Sequence, residues 1–248
     1  MARDISRLIQ PKSVTVIGGG AWCVEVVRQL EKLGFEGEIW PVHPKADTVA
    51  GHPVFKSLEG LPSAPDAAFI GINRDATITT VQSLAHMGAG GAVCFASGFS
   101  EAAAEDEIGD NLQEQLVTAA GDMPILGPNC YGFVNALDGA LLWPDQHGCT
   151  RVTSGVAILT QSSNISINLT MQKRGLPIAY MVTCGNMAQT SQAQIAAALL
   201  DDPRVTAVGL HIEGFKDLRD WEALAAKAYA KSVPLVALKV GASEQAQH

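Results

Sequence analysis

Leu126-Gly127-Pro128-Asn129-Cys130-Tyr131-Gly132 and Thr160-Gln161-Ser162-Ser163-Asn164 are the stretches of this chain whose residue types suit chemistry. Each follows an apolar run of strand length, and open α/β sheets hold ligands where such strands end. Asn129 offers both a donor and an acceptor to a ligand amide or acyl oxygen. Ser162, Ser163 and Asn164 precede a helical pattern, so either their side chains cap that helix or its free N–H groups hold an anion. Cys184-Gly185-Asn186-Met187 repeats this arrangement after the next apolar run. Glu213 then stands at a third strand end, either to orient a basic group such as a histidine or as a solvated loop acid. Cys130 has no histidine or aspartate tied to it and reads as a packing cysteine. There is no G-x-S-x-G elbow, so a serine nucleophile is unsupported. The chemistry suggested is the handling of carboxylates and phosphates.

Gly18-Gly19-Gly20 follows the first apolar run and opens a helical pattern, a place where backbone approaches a phosphate closely. The second run decides which nucleotide suits it. A fold that binds NAD has Asp or Glu there for the ribose hydroxyls, whereas this chain reads Trp40-Pro41-Val42-His43-Pro44-Lys45. Lys45 favours a phosphate, such as the 3′-phosphate of coenzyme A, or else is a solvated residue beside two prolines that end an edge strand. On either reading NAD is disfavoured. Asn73 and the Ser97-Gly98 pair place short polar or glycine positions at the ends of the third and fourth runs.

The elements that position these turns alternate along the whole chain. Strands are expected at Ser13–Ile17, Glu38–Val42, Ala67–Ile72, Ala92–Ala96 and Pro124–Leu126, with helices at Ala21–Leu33, Asp75–Met87 and Ala102–Ala120 between them. Residues 138–153, with Gly139, Pro144 and Gly148, break the rhythm and place a boundary between a first domain at 1–140 and a second at 150–248. Strands follow at Val156–Leu159, Ile178–Thr183, Ala207–Ile212 and Leu235–Val240, and helices at Ser166–Arg174, Thr190–Leu200 and Leu218–Lys231. Such alternation predicts parallel sheets covered by helices. Four strands are few beside the usual five or six or so, which suggests an N-terminal piece of something longer.

Composition excludes several classes. Hydrophobic residues make up 47% and charged residues 17%, which excludes disorder. A net charge of −8 with Lys and Arg scattered leaves no basic patch for nucleic acid. No run is long and apolar enough for a membrane span, and the N-terminus meets charge at once. Five cysteines without CxxC spacing suggest neither disulfides nor a zinc site, so a reduced, cytoplasmic chain without metal is expected.

Taken in order, these stretches resemble the NDP-forming acyl-CoA synthetases, the superfamily of the succinyl-CoA synthetase α subunit. The resemblance runs from Pro11-Lys12-Ser13-Val14 and Pro41-Val42-His43-Pro44-Lys45 through the Gly127-Pro128-Asn129 and Gln161-Ser162 turns. It continues in Gly185-Asn186-Met187, Asp201-Asp202-Pro203, His211-Ile212-Glu213-Gly214 and Leu238-Lys239-Val240-Gly241-Ala242-Ser243-Glu244. It implies a Rossmann-like CoA-binding domain followed by a truncated flavodoxin-like parallel α/β domain. It also implies an ADP-forming ligation of acid, ATP and CoA, by way of a phosphohistidine and an acyl phosphate.

By the same resemblance Gly18, Gly19, Gly20, Lys45, Asn73, Ser97, Gly98 and Asn129 bind CoA. Ser162, Ser163, Asn164, Gly185 and Asn186 bind phosphate, and Glu213 orients the phosphohistidine. ATP/ADP and Mg belong to an ATP-grasp domain or subunit that this chain lacks, and the assembly is an oligomer. The chain departs from the family in having Ser163-Asn164 where glycine follows Gln-Ser, and His43 where Asn is common. The phosphorylated histidine falls beyond Glu244, and His248 is too close to Glu244 to be it. A rival reading is a regulatory CoA- or nucleotide-binding module of a protein-lysine acyltransferase.

Overall fold

The computed structural model describes residues 3–102 and 109–241; Ala242, Ser243, Glu244 and His248 lie outside them. The elements in chain order begin with α1 (Ser6–Ile9), β1 (Ser13–Ile17), α2 (Ala21–Leu33), β2 (Glu38–Val42), β3 (Thr48–Val49), β4 (His52–Pro53) and β5 (Ala67–Ile70). They continue with α3 (Arg74–Met87), β6 (Ala92–Cys94), α4 (Gly109–Ala120), β7 (Ile125–Leu126), β8 (Phe133–Asn135) and β9 (Ala140–Leu142). The last are β10 (Gly155–Thr160), α5 (Ser163–Thr170), β11 (Ile178–Thr183), α6 (Gln192–Leu199), β12 (Val205–Ile212), α7 (Leu218–Lys231) and β13 (Leu235–Lys239).

The first sheet is parallel throughout, in the order β2-β1-β5-β6-β7. Strands β1, β5 and β6 are buried along their whole length, as the unbroken apolar runs predict for a sheet covered on both faces. The second sheet has the order β13-β12-β10-β11-β8-β9, and its first four strands are parallel. This is the α/β architecture expected from the alternation.

Local readings differ at several points, and residues 103–108 of the helix expected at Ala102–Ala120 lie outside the described residues. Strands β8 and β9 form a hairpin antiparallel to β11, so the second sheet has six strands where the rhythm suggests four. Three-residue strands are too short to show a period; an Asx turn makes the hairpin instead, with Asn135 Oδ1 accepting from the N–H of Leu137 and Asp138 at 3.0 and 3.1 Å. Helix α5 begins at Ser163 and ends at Thr170, earlier at both ends than Ser166–Arg174. The Ser162 carbonyl draws the hydroxyls of Thr160 and Ser166 at 2.6 and 3.3 Å, which turns the chain into the helix before the apolar spacing begins. Strands β5 and β6 stop at Ile70 and Cys94, two residues short of the expected ends, which frees those residues for the loops beyond.

Polar side chains lock the two sheets together. Gln189 accepts from Ile125 N at 3.0 Å and donates to the carbonyls of Gly121 and Met123, supplying bonds a neighbouring strand would give β7. Within the second sheet Arg204 grips Asp138 of the β8–β9 hairpin with two bonds of 2.7 and 2.9 Å and also holds Asp202. That guanidinium keeps the Asp138 carboxyl below the usual carboxylate range. Gln10 ties the beginning of the chain to the same cluster through Tyr180 and Asp202.

Candidate functional site

The loops that follow β5, β6, β7, β10 and β12 meet in one cleft of about 830 Å³. The carboxyl edges of the two sheets therefore face each other across it, as the position of the turns predicts. Asn73, Ser97, Asn129, Ser162, Ser163, Asn164 and Glu213 all line this cleft, together with Arg74, Phe95, Tyr131 and Gln161. Gly18, Gly19, Gly20, Lys45, Gly98, Gly185 and Asn186 are not among its lining residues.

Gly18 abuts the rim of the cleft, and Gly19 and Gly20 follow it in the same turn. Gly18 has φ +122°, and a Cβ there would lie 2.7 Å from the carbonyl oxygen of Gly71, which lines the cleft. A Cβ on Gly19 would lie 2.5 Å from the His43 ring. His43 Nδ1 accepts from the N–H groups of Lys45 and Ala46 at 3.1 and 2.9 Å, leaving Nε2 on the side of the glycine turn. Lys45 itself is exposed. Gly20 is the N-cap of α2, has no side chain with which to cap it, and has open space around it.

The capping pattern separates the helices. Asn73, Ser191 and Asp217 close α3, α6 and α7 with their own side chains. Asn73 thus spends its acceptor on Ala76 N at 2.9 Å, which leaves its amide N–H₂ for the cleft. Ser162, the N-cap of α5, makes no such bond. Both helices that start at the meeting edge behind Gly20 and Ser162 therefore present N-termini without a side-chain cap, with the positive end of the helix dipole toward the ligand side.

Gly98 and Asn186 lie beside the cleft in a hydrogen-bonded rim. The Gly98 carbonyl accepts from Arg74 Nη1 at 2.6 Å and its N–H donates to Glu101 at 2.7 Å. Asn186 donates its amide to Glu101 and Gln113, both in the first half of the chain. Gly185 has φ +55°, and a Cβ on it would lie 2.3 Å from the Pro128 carbonyl oxygen, so only glycine lets these two loops touch. Backbone bonds from Asn186 to Pro128 (3.0 Å) and from Ala188 to Gly127 (2.9 Å) close the contact. Lys216 clamps the same loop through the carbonyls of Met187 and Ala188, and burial lowers its pKa.

Gln161 sets the position of Glu213. Its Oε1 accepts from the N–H of Glu213 (3.2 Å) and Gly214 (3.1 Å), and its Nε2 donates to the Gly214 carbonyl at 2.7 Å. The Glu213 carboxylate is half-exposed and lies 3.9 Å from His211 Nδ1, a buried atom with no hydrogen-bond partner. Cys130 is buried, and that burial pushes its thiol up to about 12, so it carries no thiolate at neutral pH. It packs under the Gly127 turn, as a packing cysteine does.

Arg74 and His211 carry no assigned role in the sequence, and Gln161 is marked there only as part of its turn. Arg74 and Gln161 adjoin residues that do carry one, and His211 stands two residues before Glu213 on β12. The paired orientation of alternate residues at a strand end was the available signal.

Residues 12–136 match the CoA binding domain family. The chain belongs to that family. Residues 153–248 match the succinyl-CoA ligase like flavodoxin domain, so this CoA-binding domain is followed by the partner that the ordered turns imply. A trans-feruloyl-CoA synthase of an unidentified prokaryote is 33% identical over 99% of this chain and 36% of its own length. The acetate–CoA ligase (ADP-forming) II subunit alpha of Pyrococcus furiosus is 28% identical over 94% of this chain and 51% of its own. Among solved structures, the apo form of dinucleotide-forming acetyl-coenzyme A synthetase 1 from Candidatus Korarchaeum cryptofilum shares the fold at a TM-score of 0.86 and 24% identity. It is matched over 98% of this chain and 54% of its own. The chain thus spans about a third to a half of the length of these relatives.

Proposed function

We propose that this chain is the CoA-binding part of an ADP-forming acid–CoA ligase, which joins a carboxylic acid to CoA at the expense of ATP. The observation that carries the reading is the cleft between the facing edges of two sheets, which holds the uncapped start of α5 with Asn129 and Glu213 and has the uncapped start of α2 just beyond its Gly71 rim. A CoA phosphate is read by the backbone N–H groups behind Gly18, Gly19 and Gly20, with Lys45 nearby, where the open space at Gly20 leaves room for it. Asn73, Ser97, Gly98 and Asn129 line the path of the thiol arm, which supplies the nucleophile of the ligation.

On the other wall, Ser162, Ser163 and Asn164 present the start of α5 to phosphate, and Gly185 with Asn186 hold that wall against the first. Glu213 is the carboxylate that orients a phosphate-carrying imidazole. ATP, Mg and an ATP-grasp partner complete the reaction, and the assembly is a cytoplasmic oligomer. The functional divide falls between residues 140 and 150, where the first unit, 1–140, gives way to the second, 150–248. The relatives act on acids from acetate to ferulate by their names, so kinship leaves the acid open.

Calorimetric titration with CoA and with dephospho-CoA tests the reading. CoA is expected to bind, and dephospho-CoA to bind more weakly if Lys45 meets the 3′-phosphate. Absence of CoA binding overturns the assignment, and equal affinity for the two removes Lys45 from it.

A further inference from the structure

The end of β2 carries an imidazole whose hydrogen is placed by the chain's own backbone. His43 Nδ1 accepts from the N–H groups of Lys45 at 3.1 Å and Ala46 at 2.9 Å. A ring nitrogen that accepts carries no hydrogen, so the ring N–H is on Nε2. No residue among those described accepts from that Nε2–H. It is a donor fixed in direction and left without an acceptor.

The backbone on both sides holds the ring against the glycine turn. The His43 N–H donates to the Phe55 carbonyl at 3.0 Å, and the carbonyl just before it, of Val42, accepts from Gly18 N at 3.1 Å. The strand end that carries the ring is thus tied to the turn that opens α2. A Cβ on Gly19 would lie 2.5 Å from His43 Cδ2 and 2.6 Å from Nε2, so that edge of the ring packs on the turn itself. Gly20, the next residue, has open space around it and starts α2 without a side-chain cap. The Nε2–H therefore stands beside the N–H groups of α2, where a helix start favours a phosphate.

Polarity at this position selects the ligand. A fold that binds NAD ends β2 with a carboxylate, which accepts from ribose hydroxyls. His43 offers the reverse, because its acceptor is used up by Lys45 and Ala46 and only a donor remains. A donor suits a phosphate oxygen, which has lone pairs to give. Lys45 lends its backbone N–H to fixing the ring, while its own side chain is exposed on a flexible stem. Ordering that stem on a ligand costs rotamer freedom that the fixed ring has already given up.

We propose that His43 is a further CoA-binding residue, its Nε2–H donating to a phosphate oxygen held at the Gly18-Gly19-Gly20 turn, and that this donor sets nucleotide specificity at the end of β2. The assignment rests on the CoA reading and adds to it a residue that carries no role there. CoA has two sources of such an oxygen, its 3′-phosphate and its diphosphate.

Two side chains divide the functions of the ring. Asparagine puts an acceptor where Nδ1 stands and has no outer donor; glutamine puts a donor where Nε2 stands and has no inner acceptor. In calorimetry of the 248-residue chain, His43→Asn is expected to bind CoA roughly tenfold more weakly, about 1.4 kcal/mol, and His43→Gln to stay within about threefold of the parent. Parent affinity in His43→Asn, or a loss in His43→Gln as large as in His43→Asn, overturns the assignment and leaves the CoA reading standing. The same titrations with dephospho-CoA separate the sources: weakening of CoA alone assigns the 3′-phosphate, and equal weakening of both ligands assigns the diphosphate, either of which upholds the donor. Nitrogen NMR of the histidine-labelled parent checks the ring directly. The His43 signals, known by their loss in His43→Asn, are expected to show hydrogen on Nε2, to move with CoA and to stay still with pantetheine, which has no phosphate. Hydrogen on Nδ1, or equal shifts with pantetheine, overturns the proposal. A parent chain that binds no CoA sinks both readings together.

Discussion

The N-termini of α2 and α5 stand at the facing edges of the two sheets, yet they are built in opposite ways. The turn before α2 is stripped to Gly18-Gly19-Gly20, and its walls are close: a Cβ on Gly18 or Gly19 would run into Gly71 or His43. The start of α5 keeps three polar side chains, Ser162 at the N-cap and Ser163 and Asn164 in the first turn, and Ser162 leaves the helix without a side-chain cap. The first turn offers a ligand nothing but backbone. The second adds hydroxyl and amide groups to the same kind of helix terminus. Uncapped N–H groups are common to both, and that shared feature separates them from α3, α6 and α7, whose own side chains close them.

The largest test of this contrast is Gly18→Ala. The φ of +122° and the 2.7 Å approach to the Gly71 oxygen predict a loss of stability of about 3 kcal/mol. In thermal melting this is a fall of roughly 10 °C; an unchanged midpoint would show that the first turn is not closely walled. Gln161→Ala comes next on the other wall. It deprives the Glu213–Gly214 backbone of three hydrogen bonds, and denaturant unfolding is expected to show a loss of about 2 kcal/mol.

Smaller substitutions sharpen the capping difference. Asn73→Ala removes a working N-cap and is expected to cost about 1 kcal/mol in the same unfolding measurement. Ser162→Ala, at an N-cap that makes no side-chain cap bond, is expected to stay within about 0.5 kcal/mol of the parent. Equal losses for the two would mean that Ser162 caps α5 after all. Gly20→Ala should be as mild for stability, since its φ of −74° suits alanine and its surroundings are open. Its effect belongs to binding: calorimetry is expected to show CoA held roughly tenfold less tightly, about 1.4 kcal/mol. Full retention of affinity would place the phosphate elsewhere.

Much of the fold is legible in the chain. Unbroken apolar runs such as Ala67–Ile70 and Ile178–Val182 announce buried parallel strands, and Gly34 ends α2 in the left-handed conformation that a helix stop implies. Hairpin β8–β9 is not legible, because its strands gain their stability from pairing with β11 and not from a period of their own. The site divides in the same way. Asn129 and Ser162 announce themselves as polar residues at strand ends, whereas Asn186 looks like a phosphate ligand and is found bonded to Glu101 and Gln113 across the rim.

What the sequence determined by itself is local: which residues stand at the carboxyl ends of strands, which helices begin with glycine, and the order of turns that marks the two families. These follow from hydrophobic period and backbone stereochemistry, which act over a few residues. Tertiary structure alone decided that loops from both halves share one cleft and that Gln161 reaches Gly214, 53 positions away. It also decided that Trp22 joins Phe95 and Tyr131 in a single cluster. Contacts of that kind depend on how two sheets pack, and no short window of the chain contains the partner.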